Sequence, residues 1–329
     1  MTGGQQAWAR GRWWVLGGLL LLGAIWMGPR NGLGPDAPAT RPLPPADLTR
    51  LDAWLAEREA SVPALRDGVN KRVSWHQQVG AVTPWAVVYV HGFSASRLET
   101  APLAAQLAQA LGANLFETRM TGHGQDAQAL GLATAQDWFA DVQEALIIGR
   151  QLGQRVLLLS VSNGSTLATW AGLRPEGRNG VVHVMVSPNF GPRHPLAEVV
   201  NWPWGRQLAG LIEGEMRGNV PTNAAEARVW TSPYPTRAVF PMMALVKHVR
   251  ESDLSAFTAP VLVLYASGDQ TVDPQQTLRA FERLGSERKT LLEVRDSEAV
   301  GQHVLAGDVR APSSTRPMVQ RILNWVSEI

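Results

Sequence analysis

The chain has 329 residues, of which 45% are hydrophobic and 18% charged, enough to bury a large core and too apolar for broad disorder. The formal net charge is only +2, and the basic residues, nearly all arginine, are scattered rather than gathered in a stripe, which argues against a nucleic-acid-binding surface. There is no cysteine, so disulfides, a thiolate nucleophile and Cys-ligated metal sites are excluded, while the compartment is left open.

Arg10 and Arg12 precede the uncharged run "WWVLGGLLLLGAIWMG" (13–28), and Arg30 follows it. A positive region before an apolar run is the pattern of a secretory signal or a signal anchor. The run is short against a bilayer core of about 30 Å. Trp13, Trp14 and Trp26 stand at its two ends, where indoles prefer the membrane interface. No small-x-small cleavage site follows closely; Ala37-Pro38-Ala39 is the best candidate and lies rather far away. Together these favour a retained anchor within residues 1–30, with the body on the periplasmic or extracellular side. Secretion after cleavage is the alternative.

Residues 31–46, "NGLGPDAPATRPLPPA", read as an extended Pro/Gly/Ala-rich linker to a body spanning 47–329. The spacing of Leu48, Leu51, Trp54 and Leu55 predicts a first helix. Beyond it, short apolar runs at 85–90, 113–118, 155–160, 181–187, 260–267 and 289–295 alternate with amphipathic segments such as "LETAPLAAQLAQALG" and "TAQDWFADVQEALIIGRQLG". Nearly continuous apolar strands separated by helical crossovers predict an α/β fold with a mostly parallel sheet covered on both faces. One interval breaks the rhythm. About seventy residues separate the strand ending near Ser187 from the one beginning at Pro260, far more than a usual connection. Within it, 190–255 carries Trp202, Trp204, Trp230, Phe240, Met242 and Met243, with a helical stripe through Leu208, Leu211, Ile212 and Met216. Part must be core cover, and the sharper reading is a lid over a site.

At 160–164 a strand gives way to a helix through Ser-Val-Ser-Asn-Gly. A nucleophile elbow has that placement, with a serine on a strained turn and small residues two positions to either side. Ser160 stands where the usual elbow has glycine. Two partners support Ser162 as nucleophile. Asp269 comes directly off the next-to-last strand, in "SGDQTVDP", and His303 follows the last, in "RDSEAVGQHVLAGD". The order Ser…Asp…His suits a hydroxyl activated by an imidazole that a carboxylate holds in the right tautomer. Asp273 is the rival acid, but Asp273-Pro274 reads better as a helix cap with proline at the first position. In "VYVHGFSAS", His91-Gly92 follows a strand, so the Phe93 amide, with that of Asn163, could bind an oxyanion.

These features resemble the α/β-hydrolase superfamily, in particular its monoacylglycerol lipase, carboxylesterase and lysophospholipase-like branch, over roughly residues 70–329. The resemblance rests on His91-Gly92-Phe93, the "RMTGHG" loop (119–124), the elbow, and the Asp and His placements. It implies a cap inserted after the sixth strand, covering 190–255. Ser160 is the departure.

Of the seven histidines, His91 reads as support for the oxyanion loop, His123 as shaping the site and His183 as a core residue. His76, His194 and His248 have no nameable partners. No ligand spacing suggests a metal, and no glycine-rich loop suggests a nucleotide, so no cofactor is expected. The expected activity is hydrolysis of carboxylic esters with lipophilic acyl chains, such as a monoacylglycerol or a lysophospholipid, by acyl-enzyme chemistry. A serine peptidase, amidase or acyltransferase would use the same machinery. A non-catalytic binding protein would be expected to lack a triad member.

Overall fold

The computed structural model describes residues 14, 18 and 23–329, so the anchor expected within 1–30 lies largely outside the described residues. Among the described residues no helix is long and apolar enough to cross a membrane. Nine strands are described: β1 (Arg72–Ser74), β2 (Thr83–Val90), β3 (Asn114–Glu117), β4 (Gly153–Val161), β5 (Val181–Val186), β6 (Met216–Arg217), β7 (Tyr234–Pro235), β8 (Val261–Tyr265) and β9 (Lys289–Glu293). Seven form one sheet in the order β1-β3-β2-β4-β5-β8-β9, and β6 and β7 form a separate ribbon. Every pairing in the large sheet is parallel except that of β1 with β3.

The eight principal helices are α1 (Leu51–Ala60), α2 (Leu103–Leu111), α3 (Ala135–Leu152), α4 (Asn163–Gly172), α5 (Gly205–Glu213), α6 (Val239–Glu251), α7 (Pro274–Arg283) and α8 (Pro312–Val326). Alternation along β2 explains the layering. Ala86, Val88 and Val90 pack in a core with Leu51, Trp138, Leu167 and Val249 of α1, α3, α4 and α6. Val87 and Tyr89 point the other way, among Leu103, Leu107, Met318 and Ile322 of α2 and α8. Residues of β2 on both faces are thus removed from water, which is why the strand reads as a continuous apolar run. Local chemistry sets helix starts. A reciprocal Thr134–Asp137 capping box opens α3, and the Asp273 carboxylate, which accepts from Gln275 N, opens α7.

Three sequence expectations need correction. The helix expected from Leu98 begins only at Leu103, because Glu99 and Thr100 belong to the loop around the site. A seventh sheet strand, β1, went unread; three residues at an antiparallel edge are too few for a periodic signal. The insertion follows the fifth strand in chain order, not the sixth, since only β1 precedes the first parallel strand.

The linker is extended, but it is held along the body. Asn31 Nδ2 donates to Asn201 Oδ1 (3.0 Å) and to Phe240 O (2.8 Å), and Trp170 Nε1 donates to Asp36 Oδ1 (2.6 Å). Further on, Arg41 pairs with the buried Asp141.

Candidate active site

Three sheet strands deliver the chemistry-bearing side chains to one edge. Ser162 follows β4 with φ +52° and ψ −118°, a backbone conformation costly for a residue with a side chain. The turn is held by Ser162 N–H donating to Val186 O at 3.0 Å. Gly164 is required by a close approach: a Cβ there would lie 2.4 Å from Val90 O and 2.6 Å from His91 O. Ser160 fits because its hydroxyl turns into the interior, 3.1 Å from the Ser165 hydroxyl.

Asp269 and His303 converge on this serine across intervals of 107 and 141 residues. His303 Nε2 is 2.9 Å from Ser162 Oγ, and His303 Nδ1 is 2.7 Å from Asp269 Oδ2. The other carboxylate oxygen, Oδ1, accepts from Thr271 N (2.7 Å) and Val272 N (3.0 Å). Asp269 is thereby held with Oδ2 facing the ring, an arrangement that suits a proton on Nδ1 and leaves Nε2 to accept from the serine hydroxyl. Asp273 takes no part and caps α7.

His91 and Gly92 shape the opposite wall. Met120 N–H donates to His91 Nε2 at 3.1 Å, so the proton sits on Nδ1, which lies 2.9 Å from Gly92 O. A trans peptide places its N–H opposite its carbonyl oxygen, so with Gly92 O held by His91 the Phe93 N–H points away from that ring. Burial lowers the His91 pKa to about 4 and keeps the ring neutral. Among the described residues, neither Phe93 N–H nor Asn163 N–H meets an acceptor. Asn163 is also the first residue of α4, so the helix dipole adds to its amide.

A cavity of ≈ 560 Å³ opens above Ser162 and His303. Its walls include Val200, Trp230, Tyr234, Val239, Met242 and Met243, all from the insertion. Of the aromatic and Met residues noted in this stretch, Trp230, Met242 and Met243 line the cavity. Phe240 instead packs with Val200, Ala209 and Met243 inside the insertion, while Trp202 and Trp204 are exposed.

Other histidines divide by surroundings. His183 is a buried core residue with Nε2 2.8 Å from Gly177 O. His123 packs beside Phe93 and His91 without touching the serine, and burial lowers its pKa to about 3. The RMTGHG loop that carries it is held from below, where Asp141 Oδ2 accepts from Thr121 N at 2.6 Å. Burial opposes ionisation of Asp141, but Lys71, Arg41 and that amide hold its carboxyl below the usual carboxylate range. Sequence reading missed Glu99, whose carboxylate lines the cavity and accepts from Gly92 N–H at 2.7 Å. Its only sequence signal is an acidic residue seven positions after Gly92, before an apolar helix.

The arrangement can activate a hydroxyl and stabilise an oxyanion above it. Residues 83–296 match the family described as "Serine aminopeptidase, S33". The chain belongs to this family. It is an enzyme of the α/β-hydrolase superfamily. A curated relative, the thermostable monoacylglycerol lipase of Bacillus sp. (strain H-257), is 23% identical over 214 residues, covering 65% of this chain and 82% of that protein. Among solved structures, the metagenome-derived lipolytic enzymes LipS and LipT are represented by a chain with TM-score 0.63 and 20% identity, covering 80% of this chain and 100% of that one. A monoglyceride lipase from Saccharomyces cerevisiae, solved with a substrate analog, has TM-score 0.55 and 14% identity, covering 80% and 92%. The seven-stranded, mostly parallel sheet matches the fold of both.

Proposed function

We propose that this S33-family chain is a serine esterase acting on carboxylic esters with lipophilic acyl chains, of the monoacylglycerol or lysophospholipid kind. The observation that carries the reading is the unbroken line from Asp269 through His303 to Ser162 Oγ, facing two unengaged amides. In this reading Ser162 attacks the ester carbonyl while His303 takes its proton. The tetrahedral oxyanion is held by Phe93 and Asn163 N–H, and His303 then protonates the departing alcohol. Water, activated by the same imidazole, releases the acid. The apolar side chains that the insertion contributes to the cavity, and the lipase relatives, support the choice of acyl substrate.

Amidase or aminopeptidase chemistry would gain from a free carboxylate for a substrate amine. The cavity's two glutamates are otherwise engaged: Glu226 pairs with Arg310 at 3.0 Å, and Glu99 accepts from Gly92. Ester hydrolysis is therefore preferred. The test is turnover of p-nitrophenyl esters from acetyl to palmitoyl by the full chain beside Ser162→Ala. Hydrolysis with a medium or long chain optimum, lost in the variant, is expected; undiminished hydrolysis by the variant would remove Ser162 from its role.

The body is proposed to be tethered to a membrane by residues 1–30, on the outer side. The chain leaves the apolar run at Gly28, and Trp204 N–H donates to Pro29 O at 2.8 Å, which places this exit against the insertion. Next to it, α5 turns Leu208, Leu211 and Ile212 to solvent. An apolar helix face adjoining an apolar segment suits a lipid surface. Recovery of the full chain in the membrane fraction, resistant to high salt, is expected; recovery in the soluble fraction at its full mass would contradict the tether.

A further inference from the structure

Glu99 is a carboxylate sealed in beside the nucleophile, 3% exposed, with no ion pair to Lys or Arg among the described residues. Burying a carboxylate in this way is costly unless hydrogen bonds repay it, so the groups that donate to this one, beside a reactive serine, point to its role. Of the two arginines that line its cavity, Arg310 is paired with Glu226 and Arg217 faces Tyr234 instead. What Glu99 does engage is the oxyanion loop: its Oε2 accepts from Gly92 N–H at 2.7 Å. It also lies tight behind that loop. A Cβ on Gly92 would come within 2.8 Å of Glu99 Oε1 and 3.1 Å of Ser162 Cβ, so the loop is wedged between carboxylate and nucleophile with no space for a side chain.

We propose that Glu99 is the positioning residue of the oxyanion hole, holding Gly92 N–H while His91 holds Gly92 O, so that the Phe93 amide is fixed toward the carbonyl attacked by Ser162. Two successive peptide planes are then clamped from opposite sides, one by a carboxylate and one by an imidazole. A loop with a glycine at its centre otherwise has unusual freedom to rotate those planes. A hydrogen-bond donor that must swing into place during reaction loses the advantage of being pre-organised. The proposal rests on the serine hydrolase reading and deepens it.

The groups facing Glu99 are Tyr89 on β2, whose hydroxyl is bonded to Thr100 Oγ1, Trp230 from the insertion, and His303. Burial pushes the Glu99 carboxyl up to about 7, against the pull of the Gly92 amide, His303, Trp230 and Tyr89. Protonated or ionised, it retains an oxygen that accepts from Gly92. The clamp therefore depends on the acceptor atom and not on the charge, and this separates the informative variants.

The test uses the full chain with a soluble p-nitrophenyl ester, and an alkyl boronic acid as a mimic of the tetrahedral adduct. Glu99→Leu, similar in bulk but without an acceptor, should lower kcat by ~100-fold with KM within about threefold, and weaken boronate inhibition in parallel. Glu99→Gln keeps the oxygen and should hold kcat within about fivefold of the parent. A Glu99→Leu kcat within threefold of the parent, or Glu99→Gln as slow as Glu99→Leu, overturns the proposal. If Glu99→Leu does not fold, Glu99→Asp withdraws the acceptor by one methylene. It should then cost about tenfold in kcat at unchanged KM, and an unchanged kcat overturns the proposal equally. Parental turnover reports on the hydrolase reading itself, while the ratios between variants report on Glu99.

Discussion

The hydroxyls of Ser160 and Ser165 meet 3.1 Å apart directly beneath the Ser162 turn, and Ser160 Oγ also lies 3.3 Å from Val184 O. A serine thus occupies the position where an elbow usually has glycine, because its side chain finds a polar niche in the interior. The tight position is Gly164 on the other side, where Val90 O and His91 O leave no room for a Cβ. Ser160→Gly should therefore keep kcat/KM within about threefold, since it removes a hydroxyl and its neutral hydrogen bonds but no steric fit. Gly164→Ala should abolish activity or prevent folding. Parallel activity and thermal melting assays of the two variants check this asymmetry.

The choice between two nearby aspartates makes a second prediction. Asp269→Asn leaves the site's shape but supplies an amide that can present N–H to the imidazole and favour the wrong tautomer; kcat should fall by ~10⁴-fold. Asp273→Asn exchanges one good helix cap for another and should change stability by less than about 1 kcal/mol with activity intact. Steady-state kinetics on both variants decide the assignment.

His91 should behave as a support rather than as a proton carrier. His91→Phe removes the donor to Gly92 O and the acceptor for Met120 N–H, and kcat should fall by ~10- to 100-fold with little change in KM. The expected signature is a pH profile that retains its shape at lower amplitude. A changed number of titrating groups would contradict a supporting role.

Stability should weaken as pH is lowered from neutrality. Burial holds His91 and His183 at about 4 and His123 at about 3, against an ordinary value of 6.5. Between about pH 6.5 and 4.5 the unfolded chain therefore takes up more protons at these three sites than the native one. Each proton contributes ~1.4 kcal/mol of lost stability per pH unit once fully engaged. Glu99 works in the opposite sense. Its carboxyl, raised to about 7 from 4.5, is protonated in the native state and releases its proton on unfolding across that window, offsetting one of the three. Below about pH 4 the depressed carboxyls of Asp141 and Glu59 join the histidines: their stabilisation, complete above their unfolded values, is lost as pH falls through the lower folded ones. Chemical denaturation at pH 7, 6, 5 and 4 should give a monotonic decline, and a maximum near pH 5 would contradict it.

The cavity wall should set chain-length preference. Met242 and Met243 line it from α6, and Met242→Asp should move the ester optimum toward short acyl chains while sparing acetyl ester turnover. An unchanged optimum would place acyl binding elsewhere.

The parts legible in sequence were those encoded by local pattern. The parallel strands announce themselves as apolar runs, and Ser162, Asp269 and His303 each sit just beyond one in the expected order. What stayed hidden depends on contacts between distant residues. Nothing in "SRLETAP" says that Glu99 reaches back to Gly92, nor in "ATRPLPP" that Arg41 will meet Asp141, 100 residues later. The Pro/Gly/Ala-rich composition of 31–46 reads as an extended linker, but composition does not encode the Asn31, Asp36 and Arg41 contacts that bind the segment to the body.

The most direct test of the central claim is covalent labelling of the folded full chain with a fluorophosphonate, located by peptide mass mapping. The account predicts one adduct, on Ser162, absent from Ser162→Ala and much slower to form in His303→Ala. An adduct on another serine, or none at all in folded protein, would contradict it.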